Sequence, residues 1–204
     1  MKVKTLSVGE LGTNCYIVTN NDTTVLIDPA DECETIVFAL DGKEPSAILL
    51  THGHFDHTGA VNQLKTRYNC EIIISAEDEE MLSDNNKNAA FLIDSFPAPI
   101  IADRLVNDGD TIEIGDLCFE VIATPGHTKG SVTYKIEDSL FTGDTLFCGT
   151  VGRCDLYGGN PVRLIRSLEK LAEFDDNFNV YPGHDRKTTI GYEKQTNHYM
   201  RKKK

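Results

Sequence analysis

Four strand-like stretches of this chain end in the same way. ILLTHGH, VIATPGH, SLFTGD and NVYPGH each run through apolar residues to a glycine, and the residue after that glycine is His54, His127, Asp144 or His184. A glycine lets the backbone bend sharply or pass close to a crowded point. An ordinary turn glycine explains any one of the four. Four together, each followed by a nitrogen or oxygen donor, call for a fold in which four strand ends converge on one rim.

The first of these stretches continues as THGHFDH, which places His52, His54, Asp56 and His57 within six positions of a chain that has six histidines in all. In an extended segment, side chains two apart point the same way, so His52 and His54 reach one point. A turn through Phe55 swings Asp56 and His57 toward a neighbouring point. Imidazole and carboxylate are donors that zinc, iron and manganese all accept. With His127, Asp144 and His184 the set has seven donors, enough for two metal ions. His198, the one histidine left over, is expected at the surface of the last helix.

The order of elements supports two sheets. NCYIVTN and TTVLIDP read as strands joined by a tight turn at Asn20 to Asp22, DECETIVFAL as a helix, SAILLTH as a buried strand, TGAVNQLKTRYN as a helix and EIIIS as another buried strand. From Arg104 to Phe141 short strands follow one another as a meander. PVRLIRSLEKLAEF opens with Pro161 at a first helical position and spaces Val162, Ile165, Leu168 and Leu171 as a face. FNVYPG returns to strand, and TTIGYEKQTNHYM is the closing helix. The stretch from Glu77 to Pro99 reads as a surface excursion with a short acidic helix, bordering a cleft. The terminal RKKK reads as a solvated tail. These features predict one domain over residues 1–204, an α/β protein of two face-to-face sheets with helices outside.

Composition narrows the function. There are 20 basic and 32 acidic residues, a net charge of -12, which opposes a nucleic acid partner. No apolar run suits a signal-peptide core or a membrane span, so the expectation is a cytoplasmic protein without a membrane partner. Six cysteines without a C-x-x-C pair read as reduced thiols, most of them buried, and Cys148 and Cys154 receive no role. There is no G-x-S-x-G elbow, P-loop or G-x-G-x-x-G fingerprint.

HGHFDH, with His127, Asp144 and His184, resembles the metallo-β-lactamase superfamily, and GDTLFCGTVGRCDL is similar to its glyoxalase II-like (hydroxyacylglutathione hydrolase-like) branch. The resemblance implies a four-layer αββα sandwich with the metals at one edge between the sheets. It implies a first metal on His52, His54 and His127, a second on Asp56, His57 and His184, and Asp144 bridging both. Asp56 and Asp144 are the carboxylates it assigns to catalysis. Zinc is the first choice of metal, with iron or manganese also accepted by the donors. The implied activity is hydrolysis of a thioester such as S-lactoylglutathione by a bridging hydroxide, since a divalent ion lowers the pKa of its water from ~15.7 to about 7. Familiar zinc β-lactamases have a cysteine near the role of Asp144, so lactam hydrolysis is not expected.

One point departs from glyoxalase II proper, which continues into a helical C-terminal region with glutathione contacts. Here only Asp185 to Lys204 follow the last donor, and glutathione specificity is open. Arg153 and Tyr157 are candidate substrate contacts, because a guanidinium suits a carboxylate, with pairing of Arg153 to Asp155 as the plain alternative. The competing activity is a persulfide dioxygenase, which resembles this branch but uses one iron on two histidines and an aspartate, here His52, His127 and Asp144. A non-catalytic module that keeps the sandwich would have lost donors, and none is lost. Oligomeric state is left open.

Overall fold

The computed structural model describes residues 1–94 and 96–201. Two six-stranded sheets are formed. The first is built from β1 (Lys2–Val8), β2 (Thr13–Asn20), β3 (Thr23–Ile27), β4 (Ala47–Leu49), β5 (Glu71–Ser75) and β6 (Arg104–Val106), in that spatial order. Its first three strands are antiparallel and β3 to β6 are parallel. The parallel crossovers carry α1 (Cys33–Leu40) and α2 (Val61–Tyr68). The second sheet contains β7 (Thr111–Ile114), β8 (Leu117–Ala123), β9 (Val132–Ile136), β10 (Ser139–Gly143), β11 (Asn179–Pro182) and β12 (Thr188–Thr189). It is antiparallel except for β10 against β11, which are joined through α3 (Pro161–Leu171); α4 (Ile190–Thr196) follows β12.

Side-chain alternation sets the layers. Val25 and Ile27 of β3, Ala47 and Leu49 of β4 and Ile73 of β5 point into a core shared with Phe119, Val121, Tyr134 and Phe141 of the other sheet. Their neighbours Leu26, Ile48, Ile72 and Ile74 point the opposite way, onto α1 and α2. Ile122, Leu140 and Val180 likewise turn outward onto Leu164, Leu168 and Leu171 of α3. A period of two with both faces apolar requires cover on both sides, and three cores between four layers follow. This is the expected αββα sandwich.

Several details differ from the expectations. β1 is an additional edge strand, mostly exposed, in a segment whose Val3, Leu6 and Val8 do not keep one alternation. β6 belongs to the first sheet beside β5, so the meander starts at Thr111. On α3, Val162 and Ile165 are 61% and 39% exposed, and the buried residues are Leu164, Ser167, Leu168 and Leu171. A spacing of three precesses by about 60° at each step of an α-helix, so Val162 and Leu171 lie on opposite faces. The excursion from Glu77 consists of 3-10 turns at Glu79–Leu82 and Ala90–Ile93, and it buries Asp78, Met81, Leu82 and Ala90. His198 is exposed but lies past the end of α4. All six cysteines are free: Cys15, Cys33 and Cys70 are buried, Cys118 is exposed, and Cys148 and Cys154 are intermediate. Of the RKKK tail, Arg201 is exposed and the three lysines lie outside the described residues. Among the described residues no helix is long and apolar enough to cross a membrane.

Candidate metal centre

All seven donors meet at one edge of the sandwich. His52 and His54 follow β4, Asp56 and His57 sit on a 3-10 turn (Phe55–His57), and His127, Asp144 and His184 follow β8, β10 and β11. Buried hydroxyls hold the strand ends in register: Tyr134 donates to Leu50 O at 2.8 Å and Tyr16 donates to Pro182 O, just before His52 and His184. Asn14 adds bonds to Pro182 O and Asp185 O. Two glycines matter for different reasons. Gly143 has φ +48, a left-handed backbone, and aims Asp144 inward, whereas a Cβ on Gly183 would stand 2.1 Å from Asp144 Oδ1. Gly53 and Gly183 thus give room rather than a left-handed bend.

The donors fall into groups. His52, His54 and His127 form one triad and Asp56, His57 and His184 another, with the ligand atoms of each group within 4.8 Å of one another; His52, His57 and Asp144 form a third group between them. Asp144 Oδ1 lies 3.3 Å from His57 Nε2, and its Oδ2 lies 3.4 Å from His127 Nε2 and 3.6 Å from His184 Nε2. One carboxylate therefore faces both triads.

Hydrogen bonds on the far side of each ring fix which nitrogen is free. His57 Nδ1 donates to Asp28 Oδ2 at 2.9 Å, His127 Nδ1 to Arg153 O at 2.7 Å and His184 Nδ1 to Leu11 O at 3.2 Å. Thr51 donates its hydroxyl to Asp28 and so accepts from His52 Nδ1. Each of these four rings turns its Nε2 inward, that of His127 to 2.8 Å from His54 Nδ1, and a hydrogen bond on the far nitrogen is the arrangement that orients metal-binding histidines. Among the described residues, five buried side-chain polar atoms lack a partner: Thr24 Oγ1, and His52 Nε2, His54 Nε2, His57 Nε2 and Asp144 Oδ1. An unpaired buried polar atom costs about 1–3 kcal/mol, and four of the five sit here. Cations would satisfy this donor set, so the residues fit a metal pair.

Charge divides along the same lines. Burial, then the facing His57, drives His52 well below the ordinary histidine range, and burial with His127 takes His54 to about 3. Burial acts against charge on His57, yet Asp144, Asp56 and Asp28 overcome it and raise His57. Burial alone would raise Asp144; His57 and His127 outweigh it and hold the carboxyl well below its usual range. These neighbours favour the ionised form of the carboxylate that lies between the two triads.

A family model described as the metallo-β-lactamase superfamily matches residues 8–184. The chain belongs to that superfamily. Among its relatives are the probable metallo-hydrolase YqgX of Bacillus subtilis, 32% identical over 98% of both chains, and hydroxyacylglutathione hydrolase GloC of Haemophilus influenzae, 32% identical over the full length of both. Similar solved structures include the BLEG-1 B3 metallo-β-lactamase (TM-score 0.93, 34% identity, 98% of this chain and 99% of that one). TTHA1623 in a di-iron-bound form aligns with TM-score 0.88 and 35% identity over 97% and 100%, and ETHE1 from Myxococcus xanthus with 0.79 and 31% over 97% and 84%.

Within this metallo-β-lactamase fold, two buried carboxylates that sequence reasoning passed over hold the centre. Asp28 binds Thr51 N, Thr51 Oγ1 and His57 Nδ1. Asp78 accepts from Gly53 N, Thr128 Oγ1 and Gly130 N, tying the loop of His54 to that of His127. The Asp-Pro end of VLIDP was visible, but a strand-ending aspartate has no spacing signal of its own. The two substrate candidates are engaged locally. Arg153 forks onto Asp155 at 2.7 and 2.8 Å and Tyr157 donates to Glu80 at 2.9 Å. It is the main-chain carbonyl of Arg153 that supports the centre.

Proposed function

We propose that this chain is a dinuclear metal-dependent hydrolase acting on a thioester, S-lactoylglutathione or another small acyl-thiol, in the cytoplasm. The observation that carries the reading is the second triad, Asp56, His57 and His184, assembled beside the first with Asp144 between them. GloC adds support, because a relative with a hydroxyacylglutathione hydrolase name aligns end to end with this chain. The charge of -12 argues against a nucleic acid partner.

His52, His54 and His127 would hold one ion and Asp56, His57 and His184 the other, with Asp144 shared; zinc is the first candidate, and the di-iron form of TTHA1623 keeps iron beside it. Bound divalent ions make water nucleophilic at neutral pH and polarise a carbonyl oxygen. The chain contributes orientation: Asp28, Thr51 and the carbonyls of Arg153 and Leu11 hold the rings, and Thr13 donates toward Asp56 Oδ2 at 3.4 Å. Water oxygen bonds to the acyl carbon, the C–S bond breaks with its electron pair leaving on sulfur, and the products are a carboxylate, a thiol and one proton released to solvent. The thiolate is a stable leaving group, so no separate general acid is required.

The dioxygenase alternative draws on the likeness to ETHE1, but one iron would leave the second triad without a task. The likeness to a B3 metallo-β-lactamase puts a lactam back among the compounds to be tried. A panel of S-lactoylglutathione, other thioesters, lactones, phosphodiesters and a β-lactam, run on protein of known metal content, decides the matter. Fastest turnover on a thioester is expected. A single iron per chain with oxygen uptake on glutathione persulfide, or a lactam as the preferred substrate, would overturn the reading.

A further inference from the structure

A cleft of ≈ 650 Å³ opens beside Asp56, walled by the β1–β2 turn, the turn ahead of α1 and the residues Ile93, Asp94 and Pro97. Thr13, which donates toward Asp56, also lines it, so the cleft reaches the second triad directly. Its walls present two kinds of group. Val8, Leu11, Phe55, Ile93 and Pro97 are apolar, and Leu11 and Ile93 keep 56% and 52% of their surface exposed. Glu10, Asp31 and Asp94 add carboxylates, and no Lys or Arg is found among the described residues of the lining.

Cations nearer His127 do not alter this balance. Lys87 and Lys129 are paired with Glu80 and Arg153 with Asp155. A ligand with apolar carbon gains roughly fourfold in affinity for each methylene taken from water. A carboxylate entering among three others is repelled, and an ammonium is attracted.

We infer that the acyl end of the substrate lodges in this cleft, and that it is an apolar group, uncharged or cationic at its far end, and not a second carboxylate. The inference rests on the thioesterase reading of the centre and adds the acyl class that the reading leaves open. Chains longer than acetyl are preferred, and thioesters of dicarboxylic acids are poor substrates.

The test uses thioesters of one neutral thiol, N-acetylcysteamine, carrying acetyl, hexanoyl, 6-aminohexanoyl and adipoyl groups, on the metal-loaded full chain. In kcat/KM, hexanoyl should exceed acetyl by at least tenfold, and adipoyl should fall roughly tenfold or more below hexanoyl, with 6-aminohexanoyl not disfavoured. The gap between adipoyl and hexanoyl should narrow in a Glu10→Gln, Asp94→Asn double variant and at about 1 M salt, where the screening length is ~3 Å. Ile93→Ser should lower the ratio of hexanoyl to acetyl. Adipoyl turned over as fast as hexanoyl, or a gap indifferent to both salt and the double variant, would overturn the inference. Saturation-transfer NMR with hexanamide, 6-aminohexanamide and the monoamide of adipic acid gives a readout free of turnover. If no thioester is hydrolysed, the thioesterase reading fails. The binding order still judges the cleft's preference for apolar, uncharged or cationic groups: equal binding of the adipic monoamide overturns that preference, and its exclusion upholds it.

Discussion

Asp144 is the residue on which the two halves of the centre depend. It is buried, its oxygens face three histidine nitrogens at 3.3 to 3.6 Å, and His57 and His127 outweigh the effect of burial and hold its carboxyl well below the usual range. Asparagine in its place keeps the shape but replaces one oxygen with a donor NH2. Asp144→Asn should therefore reduce hydrolysis by at least roughly a hundredfold while circular dichroism stays that of the parent; full activity would remove the bridging role. The histidines predict a pH dependence. Burial opposes charge on His57 and His184, yet carboxylates raise both, so these rings keep their protons to higher pH than a free imidazole and a cation competes with protons for them. Metal affinity should decline as pH falls through mild acid, and binding near neutral pH should release protons, measurable by calorimetry in buffers of different ionisation enthalpy. Occupancy that is constant well below the usual histidine pKa would contradict this. The seven donors themselves were legible because four of them, His54, His127, Asp144 and His184, each follow a strand-ending glycine and the other three, His52, Asp56 and His57, crowd around the first of these. Asp28 and Asp78 were not, because a carboxylate whose work is to hold other residues leaves no spacing in the sequence.

Strands and helices were legible to the extent that their residues repeat on a regular period. β3, β4 and β5 are short apolar runs bounded by turn residues, and the Asn20 to Asp22 turn is formed, with Asn21 at φ +46. β1 escaped notice because an edge strand buries little and needs no clean alternation. α3 is recognised by Pro161 and its apolar spacing, while its cap, where Asn160 accepts from Arg163 N at 3.0 Å, is visible only in the structure; a spacing of three brings in the exposed Val162 and Ile165 and leaves out Leu164. The correct stripe is Leu164, Leu168 and Leu171, at the i, i+4, i+7 spacing of one helix face. Truncation distinguishes the two faces. Leu164→Ala should cost about 2–5 kcal/mol in denaturant unfolding, whereas Val162→Ala, on the exposed face, should stay within about 0.5 kcal/mol. Equal losses would mean the helix packs in another register.

At the scale of the whole molecule, the sandwich brings together donors that are up to 132 positions apart in the chain, His52 to His184. No local segment holds a complete triad of the first kind, since His52 and His54 need His127 from the other sheet. The centre thus joins the two sheets at their edge, and a bound cation would stabilise the folded chain by mass action. The architecture could be read from the order of elements and from apolar runs that need cover on both faces. The acyl preference could not, because it depends on Glu10, Asp31, Ile93 and Asp94 meeting across a cleft from three separate segments. The most direct measurement of the central claim is the metal content per chain, by mass spectrometry of purified protein reconstituted with zinc or iron, for the parent and for His52→Ala and His184→Ala. Two ions in the parent and about one in each variant is the predicted result. A parent that binds one ion or none, or variants that retain both, would contradict it.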